Sequence, residues 1–539
     1  MKLLIRQLEV SLEYTTDDVL KAVSRRLNCR SNQISSCEVT RRSLDSRPMR
    51  SAPVFVLTAE VVMQNGFSLP QHAPKDVEPV SNENEQPFIS SPLPAKAEFK
   101  RPVIVGAGPA GLMAAYHLAA VGARPILIER GARAEDRRAV VDAFWRQGTF
   151  DPENNVLFGE GGAGLFSDGK LTARSKDRPR IRHFFQTLVD CGAPTDILID
   201  AEPHIGSDVL QKIVPEMRRR IEAAGGETLF NTAMTDLLVE NGRLTGLIAG
   251  SREIRTDNLI LATGHSARDV YHLLGERQAT LQAKPFAVGI RLELPQRQIN
   301  QAQYGKFAGH ARLGAASYKL TRRPEENARA CYSFCMCPGG LVITCASENG
   351  ALTTNGMSYS QRGSIWGNAA FIVPIEPADY AGFAGPETHP ELAGLNFQLA
   401  MEKAAFLAGG GDFSVPALML PDFISGKISA NLPADRSCPL SKPASFDKIL
   451  PDFVLITLRT AMPKMLRELN GVNQNSAIVY AAETRSSSPV RVVRSDDGFS
   501  PAIAGLYPAG EGAGYAGGIV SSAVDGLKAA EQVAARLHG

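Results

Sequence analysis

Residues 103–113, Val-Ile-Val-Gly-Ala-Gly-Pro-Ala-Gly-Leu-Met, leave this chain few ways to fold. An apolar β-branched run enters Gly106, Gly108 and Gly111. A helix-compatible Leu-Met-Ala-Ala-Tyr-His-Leu-Ala-Ala follows, with Gly122 as its stop. Pro125-Ile-Leu-Ile-Glu129 then reads as a second strand with a carboxylate at its tip. Each part has a task in holding a dinucleotide. Gly106 allows the tight turn, Gly108 lets backbone approach a pyrophosphate, and Gly111 lets helix and strand pack closely. The helix N-terminus offers unpaired N–H groups and partial positive charge to phosphates, and Glu129 can accept from ribose hydroxyls. A glycine-rich turn of some other α/β protein would leave Glu129 without a purpose.

With 539 residues the chain is too long for one core, so several domains are expected. A net charge of +2 suggests neither a nucleic-acid nor a membrane partner. The apolar stretch 103–123 carries Pro109, His117 and four glycines, which suits strand, turn and helix better than a membrane span. The first ten residues lack the apolar core of a signal peptide. Eight cysteines without small-protein spacing fit a reduced, cytoplasmic setting. The nine histidines form no metal-binding pattern, and no metal site is expected.

Residues 1–66 read as a small α/β module: a strand over Leu3–Leu12, a helix over Val19–Leu27, and strands over Ile34–Arg42 and Val54–Met63. Arg41, Arg42, Arg47 and Arg50 cluster there and could grip RNA. The many carboxylates of the same module favour a solvated loop or one docked on its neighbour. Residues 67–97 carry six prolines and read as a linker or surface strap. A first dinucleotide-domain segment is expected over 98–283, an inserted α+β substrate or cap domain over 284–474, and a return to the dinucleotide domain over 475–539. Within these, Asp208–Ala224 is a helical pattern, and 227–254 a short-stranded meander. Asp257–Gly264 is a buried strand ending in the sharp turn Ala262-Thr263-Gly264.

The C-terminal stretch Gly505-Leu-Tyr-Pro-Ala-Gly-Glu-Gly512 is a strand ending in a glycine-flanked carboxylate, and Ser521–Leu537 is an amphipathic helix. Glu511 is placed to hold a ribityl hydroxyl. Gly517, Gly518 and Ile519 fall at a helix N-terminus, which stabilises the negative charge that develops at N1 and C2=O of a reduced flavin. Gly512-x-Gly514-x-x-Gly517 also matches GxGxxG, but the 22 residues after Gly517 cannot hold a returning strand and acid. That match therefore belongs to the flavin site, and no independent NAD(P) fingerprint is present.

These stretches resemble the glutathione-reductase-like FAD superfamily. Nearly the whole chain is similar, more narrowly, to a family of FAD-dependent dehydrogenases described as NAD(P)/FAD-dependent oxidoreductases. The resemblance is carried by Phe158–Lys170, Pro203–Gly206, Ala262–Asp269, Lys284–Arg291, Tyr332–Gly340 and Glu483–Pro489. It implies a Rossmann-like FAD/NAD(P)-binding α/β domain with an inserted α+β domain, noncovalent FAD and a flavin redox role, with no particular substrate. The expected FAD contacts are Gly106, Gly108, Pro109, Ala110, Gly111, Glu129 and Arg130, then Gly162 and Gly164 of the glycine-rich loop. Thr263, Gly264, Gly510, Glu511, Gly517, Gly518 and Ile519 complete them.

For chemistry, His265 beside the Ala-Thr-Gly turn is the candidate general acid or base. Lys170, Lys284, Arg291 and Arg485 are candidate ligands of a small anionic substrate, with Arg362 and Arg491 in bordering segments. Cys331, Cys335, Cys337 and Cys345 lack zinc or CxxC spacing and read as buried structural residues. The expected function is an FAD-dependent dehydrogenase, with NAD(P)H as a transient electron donor. A flavin-dependent RNA-modifying protein and a flavin-binding sensor or scaffold without turnover stand as alternatives. Oligomeric state is not encoded in any pattern.

Overall fold

Alternation of burial builds the first unit. In the strand Lys2–Val10, Leu3 and Ile5 face inward and then Leu8 and Val10 do. A bulge between Ile5 and Leu8, with Gln7 at φ +57°, restores the apolar face after the register changes. The helix Thr16–Leu27 starts on a capping box between Thr15 and Asp18. It covers one face of a four-stranded antiparallel sheet, whose order is Ile34–Asp45, Val54–Met63, Lys2–Val10, Val77–Pro79. The last of these strands falls inside 67–97, so this stretch is not only a linker. A three-residue strand is too short to show a period, and its burial rests on Val77 alone. The structure describes every residue except 48–49, 70–73, 81–90, 95–98, 173–174, 324–328, 386–388 and 539. The rest of the expected linker thus lies partly outside the described residues.

Three of the four clustered arginines of this module are engaged. Arg42 bonds Asp200 at 2.8 Å and exchanges backbone hydrogen bonds with Ile199 and Ala201, and so docks the module on the next domain. Arg47 and Arg50 pair with Asp45, and Arg50 also with Glu9. This pairing matches the charge of three of the four clustered arginines, while Arg41 is exposed.

The second domain is layered. Its five-stranded parallel sheet has the order Leu506–Pro508, Leu259–Leu261, Val103–Val105, Ile126–Ile128, Glu227–Leu229. Ile104, Leu127 and Ile260 point to one side, under the helices Pro109–Ala120, Ser207–Ala223 and Ile519–Leu537. Val103, Val105, Ile128, Leu259 and Leu261 point to the other, where the meander Met234–Glu240, Arg243–Ala249, Arg252–Arg255 packs. Burial on both faces explains why these strands read as unbroken apolar runs. The chain's first and last helices of this domain touch so closely that a Cβ at Gly526 would lie 2.0 Å from the Ala110 carbonyl oxygen.

The cap is a seven-stranded sheet. Its order is Thr321–Arg322, Cys331–Cys337, Trp366–Ile375, Phe286–Pro295, Ile478–Glu483, Val415–Met419, Ser441–Pro443. Helices Ala393–Ala408 and Asp452–Leu466 pack on it. Ile478–Glu483 pairs with Phe286–Pro295, so the expected boundary at 474 comes too early. The crossing between domains is the small antiparallel pair Leu281–Ala283 and Val490–Val492. Among the described residues no helix is long and apolar enough to cross a membrane.

Candidate functional site

Four loops converge at the carboxyl ends of the parallel strands, the usual place for a ligand in such sheets. Their glycines divide into two kinds. Gly106 (φ +102°) and Gly111 are packing glycines, since a Cβ on them would lie 2.4 Å from the Ala262 oxygen and 1.8 Å from the Gly106 oxygen. Gly108, the N-cap of Pro109–Ala120, has nothing within 4 Å of its Cβ position. The same openness holds at Gly264, Gly517 and Gly518. Gly162 faces the Gly108 Cα, and Gly164 touches Ile519 and Pro109, so three of the loops meet. Ala110 is buried beneath them, and Thr263 Cα backs on Gly106. The decoy motif divides in the same way: Gly512 and Gly514 would clash with backbone at 2.6 and 2.8 Å, and only Gly517 is open.

Glu129 ties these loops together. Its Oε2 accepts from Ala107 N at 2.7 Å, and its Oε1 from Gly131 N and Gly159 N at 3.1 and 2.9 Å. Of about four lone-pair positions on a carboxylate this leaves one for a hydroxyl. Arg130 stacks on Phe158 and is held by Glu153 and Asp269.

Several residues that hold the site have no signal in the sequence. Arg137 is fully buried and donates to the carbonyls of Asn155, Val156, Glu160 and Gly162, which shapes the glycine-rich loop. Glu160 is fully buried as well, and burial pushes its carboxyl up to about 7. Asp525 accepts from Gly510 N and pairs with Arg494. Tyr271 donates to the Gly512 carbonyl at 2.7 Å.

The expected chemical residues fare differently. The Nε2 of His265 lies 4.0 Å from Glu511 Oε1, and its buried Nδ1 has no partner among the described residues. Burial, then Arg485 and Arg268, lower the imidazole to about 4. At neutral pH it is a neutral imidazole, with one ring N–H and no imidazolium proton to give as an acid. Glu511 is pushed up to about 7 by burial. Lys284 is half-buried, donates to the Ser488 carbonyl at 3.3 Å, and is lowered by burial. Lys170 stands 3.8 Å from Asp168, which also meets Ser358 and Arg362.

Arg291 and Arg485 are not free for an anion. Arg291 is wholly buried, bidentate on Glu483 at 2.9 and 2.7 Å, with further bonds to Asn368 and Asn355. Arg485 is bidentate on Glu402, both bonds at 2.8 Å, and also bonds Ser347. Arg291 has in Glu483 a buried carboxylate that could not be left alone, and Arg485 shares the buried Glu402 with Arg268. Cys331, Cys337 and Cys345 are buried as expected, but Cys335 is exposed. No group of residues able to hold a metal ion occurs among those described.

Comparison with known proteins follows the same division. A model of the pyridine nucleotide-disulphide oxidoreductases matches residues 100–298. A model described as FAD-dependent protein, C-terminal domain-like, matches 285–486, and a domain of unknown function matches 1–62. An uncharacterised protein of Clostridium beijerinckii is 38% identical over 99% of this chain and 98% of its own length. A thiamine thiazole synthase of Aeropyrum pernix is 26% identical over 31% of this chain and 54% of its own. Among solved structures, a flavin-dependent brominase is 12% identical with a TM-score of 0.36, covering 81% of each chain. A glycine oxidase of Bacillus cereus is 11% identical with a TM-score of 0.32, covering 81% of this chain and 96% of its own.

Proposed function

Because this chain belongs to a family of FAD-dependent oxidoreductases of the glutathione-reductase-like FAD superfamily, we propose that it is a dehydrogenase acting on a small anionic substrate. FAD would be held noncovalently, and NAD(P)H would serve as a visiting electron donor. The observation that carries the reading is the set of open glycines. Gly108, Gly264, Gly517 and Gly518 leave free space where a side chain would stand, on three loops at one end of the sheet. Such openness suits a flat ring and a pyrophosphate brought against bare backbone.

In this proposal the N-terminus of Pro109–Ala120 faces the pyrophosphate, Glu129 meets the adenosine ribose with its remaining acceptor position, and Glu511 meets the ribityl chain. The Gly518-capped helix Ile519–Leu537 presents its positive end to the flavin ring. When bound, FAD supplies acceptance and donation of hydride. The chain supplies position and charge. Lys284, which has no carboxylate within ion-pair distance among the described residues, and Lys170, whose Asp168 at 3.8 Å is shared with Arg362, are the cations left to attract an anion. His265 remains neutral and could accept a hydrogen bond at Nε2.

The test is anaerobic stopped-flow reduction of the purified protein by NADH and by NADPH, followed at the flavin absorbance band. Rapid bleaching with one of them is the expected result. A colourless protein that takes up no added FAD would remove the whole reading. A yellow protein bleached by neither nucleotide would remove the donor alone.

A further inference from the structure

A groove in the cap carries two cations and no acid. It has a volume of about 460 Å³ and opens between the start of the helix Gln296–Tyr304, the turn at 308–315 and the loop that leads into the strand Trp366–Ile375. Arg297 and Asn300 lie three residues apart and so share one face of that helix. Arg362 reaches the groove from the loop, and no Asp or Glu lines it among the described residues.

The donors here are largely unspent. Arg297 is exposed and meets no carboxylate within ion-pair distance among the described residues. The Oδ1 of Asn300 accepts from Ala316 N at 2.8 Å and from Gln296 Nε2 at 2.7 Å. These contacts fix which end of the amide is oxygen, and they leave its Nδ2 as a donor. Arg362 gives an N–H to Asp168 at 3.1 Å, but Lys170 stands 3.8 Å from the same carboxylate. Two cations thus share one anion, and one positive charge is unmatched.

The walls are built to hold this arrangement. Arg362 sits at φ +49°, a left-handed conformation unfavourable for a residue with a Cβ. Backbone of this kind persists where the surroundings over-determine it, often at binding sites. A Cβ on Gly339 would lie 1.7 Å from the Arg362 carbonyl oxygen, so the close approach requires glycine there. Buried Gln296 accepts from Gly339 N at 2.8 Å and donates to the Ala316 carbonyl at 2.9 Å, which ties the helix start to the other two walls. Ile365, 62% exposed, adds apolar surface with Ala308 and Ala315.

We propose that this groove binds a small organic anion, its carboxylate or phosphate met by Arg297, Arg362 and Asn300 and its apolar body lying on Ile365 and the two alanines. The volume suits such a molecule. The site goes beyond the FAD reading and does not depend on it.

The test uses the full chain as purified, with phenyl phosphate, benzoate and neutral benzyl alcohol as probes at constant ionic strength. Arginines are modified with phenylglyoxal and read site by site by peptide mass spectrometry. At least one of the two anions should slow labelling of Arg297 by about tenfold or more at saturation, and which one does so tells phosphate from carboxylate. Benzyl alcohol should not protect Arg297. Arg252, exposed on the strand Arg252–Arg255, should label at the same rate throughout. In calorimetry, Arg297→Gln should weaken binding of the protecting anion by about tenfold or more, the loss expected for one charge-assisted hydrogen bond. The Tm should not change, because this side chain is exposed. Protection of Arg297 by neither anion, equal protection by benzyl alcohol, equal protection of Arg252, or an unchanged affinity in Arg297→Gln would each overturn the proposal.

Discussion

Replacing Gly108 and Gly111 with alanine, one at a time, separates cofactor contact from packing three positions apart in the motif. At Gly108 the backbone (φ −76°, ψ −175°) suits any residue, and a Cβ meets nothing within 4 Å. Gly108→Ala should therefore leave the FAD-free fold unchanged or stabilise it by about 0.4–1 kcal/mol, through lower entropy of the unfolded chain. At Gly111 the Cβ would lie 1.8 Å from the Gly106 oxygen and 3.0 Å from its carbon. Helix and strand must part, at a cost of about 1–3 kcal/mol, or roughly 2–4 °C in Tm per kcal/mol for a domain of this size. In FAD binding the order reverses. The methyl at position 108 holds the phosphate away from the helix N–H groups. Losing one charge-assisted hydrogen bond costs about 1.5–3 kcal/mol, which is roughly 10- to 140-fold in Kd. The assay is thermal unfolding of the FAD-free variants together with FAD titration. Equal loss of Tm in both variants, or an unchanged Kd in Gly108→Ala, would refute the division of the glycines.

Other perturbations probe the charged groups. Arg291→Ala leaves Glu483 buried and unpaired, and should destabilise the fold by about 3–5 kcal/mol. Arg291→Met with Glu483→Leu should recover most of this, as chemical unfolding will report; selective loss of substrate affinity with normal stability would return Arg291 to the substrate site. The carboxyl of Glu511, raised to about 7, favours folding at low pH and loses that contribution as pH climbs from about 4.5 to 7. His265, lowered to about 4, does the reverse, contributing stability that is lost as pH falls below about 6.5. Relative to the parent, the Tm of Glu511→Gln should thus rise with pH between 5 and 7.5, and that of His265→Asn should fall between 4.5 and 6.5. Parallel profiles would contradict the burial of both groups. Arg42→Ala should speed proteolytic removal of the first module by cutting its contacts to Asp196 and Asp200. FAD affinity should not change.

The parallel core and the cofactor loops were readable because two demands coincide there. A strand buried on both faces must be apolar throughout, and a backbone that turns against a phosphate must be glycine. Val103–Val105 and Gly108 meet these demands locally, within a few residues. The strand Ile478–Glu483 is just as apolar, yet nothing in it says which sheet it joins, since the choice depends on partners such as Phe286–Pro295 nearly two hundred residues away. Val77–Pro79 fails for the opposite reason, being too short to show a period at all.

The arginines show the deeper limit. A guanidinium near a cofactor loop reads as an anion ligand only while its partner is unknown, and a buried partner can sit anywhere in the chain. For Arg485 it is Glu402, on the helix Ala393–Ala408, and for Arg291 it is Glu483. Desolvation makes these pairs obligatory, because either charge alone in the interior is far costlier than the two together. It follows that a free cation in the cleft has to be a residue whose charge is not already matched. By that criterion Arg291 and Arg485 drop out of the proposed anion site, and Lys284, which meets a carbonyl and no carboxylate within ion-pair distance among the described residues, is a better candidate than Lys170, which has Asp168 at 3.8 Å. A point charge on a flexible stem recognises the sign of a ligand more than its shape. The orientation of the proposed substrate would then come from the walls of the cleft, where neutral His265, its Nδ1 without a partner among the described residues, has capacity to spare.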